Sequence, residues 1–452
     1  MTRHRVAVVT GDVLAARMAG PAIRAWHMAR GLASDHEVEL LSTRDCELGS
    51  AEFRCAHVSR ADLQRLGARV DVVVLQGDVL RYAPALGRSP VAMVVDLYDP
   101  FHLEVLEQTR GLDPLARRVS VGTSVDVVNE QLRRGDFFLC ASSRQRDFWL
   151  GQLAAVGRLN EHTYDRSPDL GALLAVVPFG VEDEPPRHVA PAMRGVIPGI
   201  GPDDEVILWG GGIYNWFDPL SLLHAIDRLR RRRPGVRLFF AGVRHPNPSV
   251  PFMEMNARAR ALADELGLTG IHAFFHEWID YRARQNFLLE SDIGVSVHYD
   301  HVETAFSFRT RVLDYLWAGL PTVTTEGDVL ADLIDARGAG VAVPAEDVDA
   351  LEATLESILG DASRRQAMSS AALELAGSFR WSTVMAPLAE FCAHPVRSPD
   401  LLEPRTARAI ARGSNLMPHG ALTATQRAAD LARRGEWRSL QAKAVGRLRR
   451  NP

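Results

Sequence analysis

Residues 303–321 read ETAFSFRTRVLDYLWAGLP. They follow the short β-branched run Ile293, Gly294, Val295, Ser296, Val297, introduced by Glu290, Ser291 and Asp292, which reads as a buried parallel strand. From Arg311 the apolar residues Val312, Leu313, Leu316 and Trp317 recur at helical spacing, Gly319 and Pro321 stop the helix, and Thr322 begins another strand. The order is strand, polar loop, helix, strand. In an open parallel sheet, ligands sit beyond the carboxyl ends of strands, where Ser307, Phe308, Arg309, Thr310 and Arg311 fall. Two guanidiniums, two hydroxyls and the free amides of a helix start suit a phosphate-bearing ligand. Asp314, one turn into the helix, is placed to accept hydrogen bonds from the hydroxyls of such a ligand. A solvated basic pair and a carboxylate that only complements the helix dipole would use the same letters. The density of polar groups in one strand-to-helix loop favours the ligand site.

Composition narrows the classes around this segment. At 452 residues the chain exceeds one ordinary core, so two or three domains are expected. With 46% hydrophobic and 24% charged residues it is globular, and a net charge of −4 carries no nucleic-acid signal. The apolar run Val6 to Val9 near the start is too short for a signal peptide and reads as a first strand. No apolar run approaches the ~18 residues that would span a membrane. Cys46, Cys55, Cys140 and Cys392 show neither metal spacing nor a disulfide-rich pattern, so no metal site is expected and a reducing cytoplasm is the expected location.

Residues 1–182 read as a doubly wound domain of β-α units. Its first strand runs into a loop that ends Met18, Ala19, Gly20, Pro21, and the last two are helix-start signals that also let backbone approach a phosphate. A later strand ends in Asp96, Leu97, Tyr98, Asp99, Pro100, Phe101, His102, again a polar cluster at a carboxyl end. His102 and Asp99 are candidates for acid or base work or for binding an acceptor hydroxyl; equally, Asp99 caps the helix that follows and His102 packs against it. Residues 183–204, rich in Pro and Gly, read as a linker. A second doubly wound domain spans 205–395, opening with a strand and then Gly210, Gly211 and Gly212, whose bare backbone is read as ligand contact. Residues 396–452 carry twelve Arg or Lys against four Asp or Glu. They read either as a solvated terminal helix or tail, or as a segment drawn to a phosphorylated acceptor or to anionic lipid headgroups in peripheral membrane contact.

Two doubly wound, Rossmann-like α/β domains whose loops face one cleft resemble the GT-B fold of nucleotide-sugar glycosyltransferases. Asp314 to Pro321, DYLWAGLP, resembles the E-A-x-A-x-G-x-P segment of the large retaining family with an E-x7-E signature, the family 4-like glycosyltransferases. Val177 to Val181, VPFGV, is similar to that family's V-P-N-G-V turn. The resemblance implies transfer of a sugar from a nucleoside diphosphate sugar to the hydroxyl of a glycan, lipid-linked or small-molecule acceptor, with retention of configuration and without a metal or other cofactor. It places Gly20, Gly211, Gly212, Ser307, Phe308, Thr310 and Asp314 at the donor, and Asp96 and Tyr98 with Asp99 and His102 on the acceptor side. The sequence departs from the family in four ways. Asp314 replaces the second glutamate, Phe306 stands where the first is expected with Glu303 out of register, FRTR at 308–311 replaces F-G-L-P, and residues 210–218 lack the usual Arg and Lys. Arg309 and Arg311 are expected to neutralise the departing diphosphate instead. The alternatives are an epimerase or hydrolase on the same fold, and a non-catalytic member that binds a glycan or a partner.

Overall fold

The structure is a computed structural model that describes residues 2–248 and 250–412. The first sheet has seven parallel strands, β1 (Arg5–Thr10), β2 (Glu37–Ser42), β3 (Arg54–His57), β4 (Val72–Gln76), β5 (Ala92–Asp96), β6 (Phe137–Cys140) and β7 (Leu174–Val176), in the order β3-β2-β1-β4-β5-β6-β7. The second has six, β8 (Glu205–Trp209), β9 (Val236–Phe240), β10 (Ala273–Phe275), β11 (Ile293–Ser296), β12 (Thr322–Thr325) and β13 (Gly340–Val343), in the order β10-β9-β8-β11-β12-β13. The central strands are near-continuous apolar runs because helices cover both faces of an all-parallel sheet. Val6, Ala7, Val8 and Val9 are fully buried, as are Val72 to Leu75. These two domains are the GT-B arrangement.

In each sheet the strand order reverses at one point, between β1 and β4 in the first and between β8 and β11 in the second. Chain leaving neighbouring strands there turns to opposite faces and opens a crevice. The crevice of the second domain is propped by Tyr315. Its fully buried hydroxyl lies 3.0 Å from the Val295 carbonyl and 3.2 Å from that of Leu208, and accepts from the Gly210 amide at 2.7 Å, so one side chain joins β8 and β11 where they splay.

The linker lies docked rather than free. Glu290 accepts from the amides of Ala192, Met193 and Arg194, and Met193 is fully buried. After the helix Ala362–Ala376 the chain returns to the first domain. Val181 bridges Arg380, and a Cβ on Gly180 would stand 2.5 Å from the Trp381 ring, so only glycine permits that crossing. Phe391 then stacks on Phe137 at 4.8 Å, Arg397 pairs with Asp136 at 2.8 Å, and the fully buried Asp400 takes both Nε and Nη2 of Arg158, at 2.7 and 3.3 Å. Residues 381–412 therefore belong by contact to the first domain, and the boundary expected at 395 moves to the crossing near 380. Most of the basic segment lies outside the described residues. Among the described residues no helix is long and apolar enough to cross a membrane.

Candidate active site

The switch point of the second domain sets the first cavity, of about 150 Å³. Its floor is the turn after β8, and the three glycines there divide their work. A Cβ on Gly210 would meet Tyr315 at 3.1 Å and one on Gly212 would meet the Tyr214 ring at 2.7 Å, so two of the three glycines are explained by packing. Gly211 has open space beside it and a φ of +101°, which L side chains rarely adopt. The reading of all three as ligand contacts thus narrows to Gly211.

Arg311 lies in the first turn of the helix Thr310–Trp317, whose apolar residues fix it against β11 and β12. The guanidinium sits 4.1 Å from the ring centre of Phe217 and 4.8 Å from that of Trp209, and Nη2 donates to the Gly212 carbonyl at 2.7 Å. Nη1 is buried with no partner, and no carboxylate among the described residues pairs with this side chain. Burial in this aromatic seat lowers its pKa to about 10. Gly20, Thr310 and Asp314 share the cavity wall. Asp314 receives Arg284 Nε at 3.0 Å and keeps more than a third of its side chain exposed, so it retains acceptor capacity toward the cavity.

A second cavity, of about 290 Å³, adjoins the first through Gly20, Tyr214, Thr310 and Arg311. Tyr98, Asp99, Ser307, Phe308 and Arg309 lie here, joined by Glu104 and Glu303. Arg309 is held by Glu303 in a buried fork, with Nη1 to Oε1 at 2.8 Å and Nη2 to Oε2 at 2.6 Å, and its Nε lies 4.0 Å from Asp328. Phe217 is shared by the two arginines, with the Arg309 guanidinium 4.9 Å from its centre. Arg309 is thus already neutralised within the protein, and of the two arginines expected to face a diphosphate only Arg311 is left without a carboxylate. Burial, aided by the charge of Glu303 and opposed by Arg309, pushes Asp99 up to about 7. Burial and Asp99 push Glu104 well above the usual carboxyl range.

Two expected residues lie elsewhere. Asp96, at the end of β5, takes Nε and Nη2 of the fully buried Arg24 at 2.7 and 2.8 Å, so it ties the helix Gly20–Ala33 to the sheet. His102 sits on the helix Phe101–Gln108 between Phe148 and Trp149, bonded to Gln152, and burial lowers its pKa to about 4. A buried neutral imidazole in an aromatic core is a packing residue. Asp99 does not cap this helix, whose N-cap is Pro100. Ser307 spends its hydroxyl on the Thr304 carbonyl. Phe306, where the resembling family has its first glutamate, packs on Phe148 of the first domain at 4.6 Å. The sequence reading missed Glu104, which looked like an ordinary first-turn helix carboxylate, and Arg284, which nothing near it in sequence links to Asp314. The indole of Trp278 also lines the first cavity and donates to the Met18 carbonyl across the cleft at 3.2 Å.

Residues 197–375 match the protein family described as Glycosyl transferases group 1. Together with the fold, that match supports a GT-B glycosyltransferase. Among curated proteins none matches the chain in sequence. Among solved structures the chain is similar to HepE of Anabaena in complex with UDP and glucose, with a TM-score of 0.61 at 13% identity over 86% of this chain and 100% of that one. WaaG, a glycosyltransferase involved in lipopolysaccharide biosynthesis, gives a TM-score of 0.60 at 16% identity over 86% of this chain and 100% of its own. Sucrose-phosphate synthase from Thermosynechococcus elongatus gives a TM-score of 0.60 at 15% identity over 86% of this chain and 98% of its own. At such identities these likenesses speak for the fold.

Proposed function

We propose that this protein transfers a hexosyl unit from a nucleoside diphosphate sugar to an acceptor hydroxyl, with retention of configuration and without a metal ion, in glycan, glycolipid or metabolite glycosylation. The observation that carries the reading is Arg311, a guanidinium buried at the switch point with one nitrogen unpartnered and no carboxylate to neutralise it. A buried cation left in this state is costly unless an anion completes it. The diphosphate of a donor is such an anion, and its negative charge grows as the sugar departs, so the same contact strengthens toward the transition state. The amide of Thr310 and the helix start add a second source of positive potential. Asp314 accepts from donor hydroxyls, and Gly211 lets backbone come close. Asp99 and Tyr98 face the donor from the first domain and orient the acceptor hydroxyl. With retention, the leaving phosphate itself takes the acceptor proton, so no side-chain base is required on the far side of the sugar.

The test is a panel of UDP-, GDP-, ADP- and dTDP-sugars with EDTA present, followed by proton NMR of the product anomer. A new glycoside with the donor's configuration supports the reading. An inverted product refutes retention, and activity abolished by EDTA and restored by added metal refutes metal independence. Donor consumed without any acceptor indicates an epimerase or hydrolase.

A further inference from the structure

The second cavity gathers more carboxyl groups than Arg309 can pair. Arg309 gives both terminal nitrogens to Glu303. Asp99 and Glu104 then face the same space with no hydrogen-bond partner among the described residues. The other wall is aromatic, with Tyr214 and Trp216 stacked 5.0 Å apart. Arg311, more than nine-tenths buried and with Nη1 free, stands where this cavity meets the first, so the two charge patterns abut within one cleft.

We infer that the acceptor seated against Asp99, Glu104 and Glu303 carries a protonated amine, as an amino sugar or aminocyclitol does. This rests on the glycosyl-transfer reading above and adds the chemical class of the acceptor. An ammonium brings three donors and a positive charge to a cavity lined by three carboxyl groups, of which only Glu303 is already paired, with Arg309. A neutral polyol brings donors without the charge, and leaves Asp99 and Glu104 to be desolvated beside Glu303 uncompensated. The rise of both carboxyls out of their usual range is the mark of that uncompensated state. Aromatic rings beside the carboxylates suit an ammonium-bearing ring, whose cation and C–H face both favour π surfaces. With a diphosphate at Arg311 and an ammonium at Asp99 and Glu104, opposite charges fix the direction in which the two substrates lie.

The experiment uses the full-length protein and ligand-observed NMR. Glucosamine is compared with glucose and N-acetylglucosamine, and 2-deoxystreptamine with myo-inositol, with and without the nucleoside diphosphate that binds. The amines are expected to bind at least about tenfold tighter than their neutral partners, a difference that charge-assisted hydrogen bonds supply. Glu104→Gln and Asp99→Asn are each expected to cut that preference to about twofold or less. The wild-type comparison stands even where a variant does not fold. Equal binding of amine and neutral partner, or binding of neither, overturns the inference. So does displacement of glucosamine by MgCl2 with saturable Mg²⁺ binding, which would make the occupant a metal ion. Because the amine preference is read by binding alone, a protein that prefers amines yet binds no nucleotide would leave this inference standing while the transfer reading fell.

Discussion

Arg309 and Arg311 stand two residues apart, are both more than nine-tenths buried, and both pack on Phe217. Arg309 is enclosed by charge, with Glu303 forked onto it and Asp328 behind. Arg311 is enclosed by two rings and one carbonyl. Desolvation costs each of them, but only Arg309 is repaid inside the protein. The difference teaches how a site is distinguished from a scaffold when the residue type is the same. A guanidinium paired with a carboxylate orders the loop, and one without a carboxylate is the place where the proposed anion would complete the pairing.

The largest effect expected from breaking this contrast is on folding. Arg309→Gln leaves Glu303 buried and unpaired, and should cost about 3–5 kcal/mol in urea unfolding, the usual consequence of removing one partner of a buried pair. Replacing both residues, as Glu303→Gln with Arg309→Met, should recover most of that loss. A double variant as unstable as Arg309→Gln would show that the pair is not the self-contained unit described.

Arg311→Gln should behave in the opposite way. Turnover is expected to fall by about 10²–10³, as when one donor to a developing oxyanion is removed. Stability should change by less than about 1 kcal/mol or improve, since the guanidinium is desolvated without an ionic partner. A steady-state assay and a urea melt on the same preparation check both halves. Asp314→Asn, which keeps the shape but weakens an acceptor that Arg284 already shares, should raise the donor KM by about tenfold with kcat less affected, as loss of a hydrogen bond to a charged group does. An unchanged KM would detach Asp314 from the donor.

The smallest effect concerns pH. The folded value of Asp99, about 7, lies above the ordinary 3.8, so the native state keeps its proton longer than the unfolded chain does. Between about pH 4 and 7 the unfolded chain is the more ionised, so this residue lowers stability as pH rises, and its penalty is complete above pH 7. His102 acts with the other sign. With its folded value near 4, the unfolded chain takes up the proton first, and stability is lost as pH falls from 6.5 toward 4. Subtracting wild-type melting curves from those of Asp99→Asn isolates the first term, and the gain in Tm should grow from pH 4 to 7. A difference that is flat in pH would place Asp99 in water.

Much of the fold was legible because a buried parallel strand writes its own signature. The apolar runs at 6–9 and 293–297 needed no context, and each is a buried strand in the structure. The edge strand Arg54–His57 escaped, since RCAH has neither an apolar run nor alternation. The return of the chain near 380 escaped for a different reason: the Arg158 to Asp400 pair joins residues 242 positions apart, and nothing local to either marks it. The site was legible by location and not by role. The switch-point loops named Arg309, Arg311, Asp314 and Asp99 correctly as neighbours of one cleft. Which arginine was committed depended on Glu303, six residues before Arg309 and brought to it by the short helix Val302–Phe306 that the sequence presented as loop.

The most direct measurement is calorimetric titration of UDP, GDP, ADP and dTDP into the wild type, Arg311→Gln and the paired Glu303→Gln, Arg309→Met variant, all in EDTA. The account predicts micromolar binding of one diphosphate by the wild type, weakened about a hundredfold or more in Arg311→Gln, a loss of the size expected for a desolvated charge pair, and held within about threefold in the paired variant. Folded wild type that binds none of the four, or Arg311→Gln that binds as tightly as wild type, would contradict it.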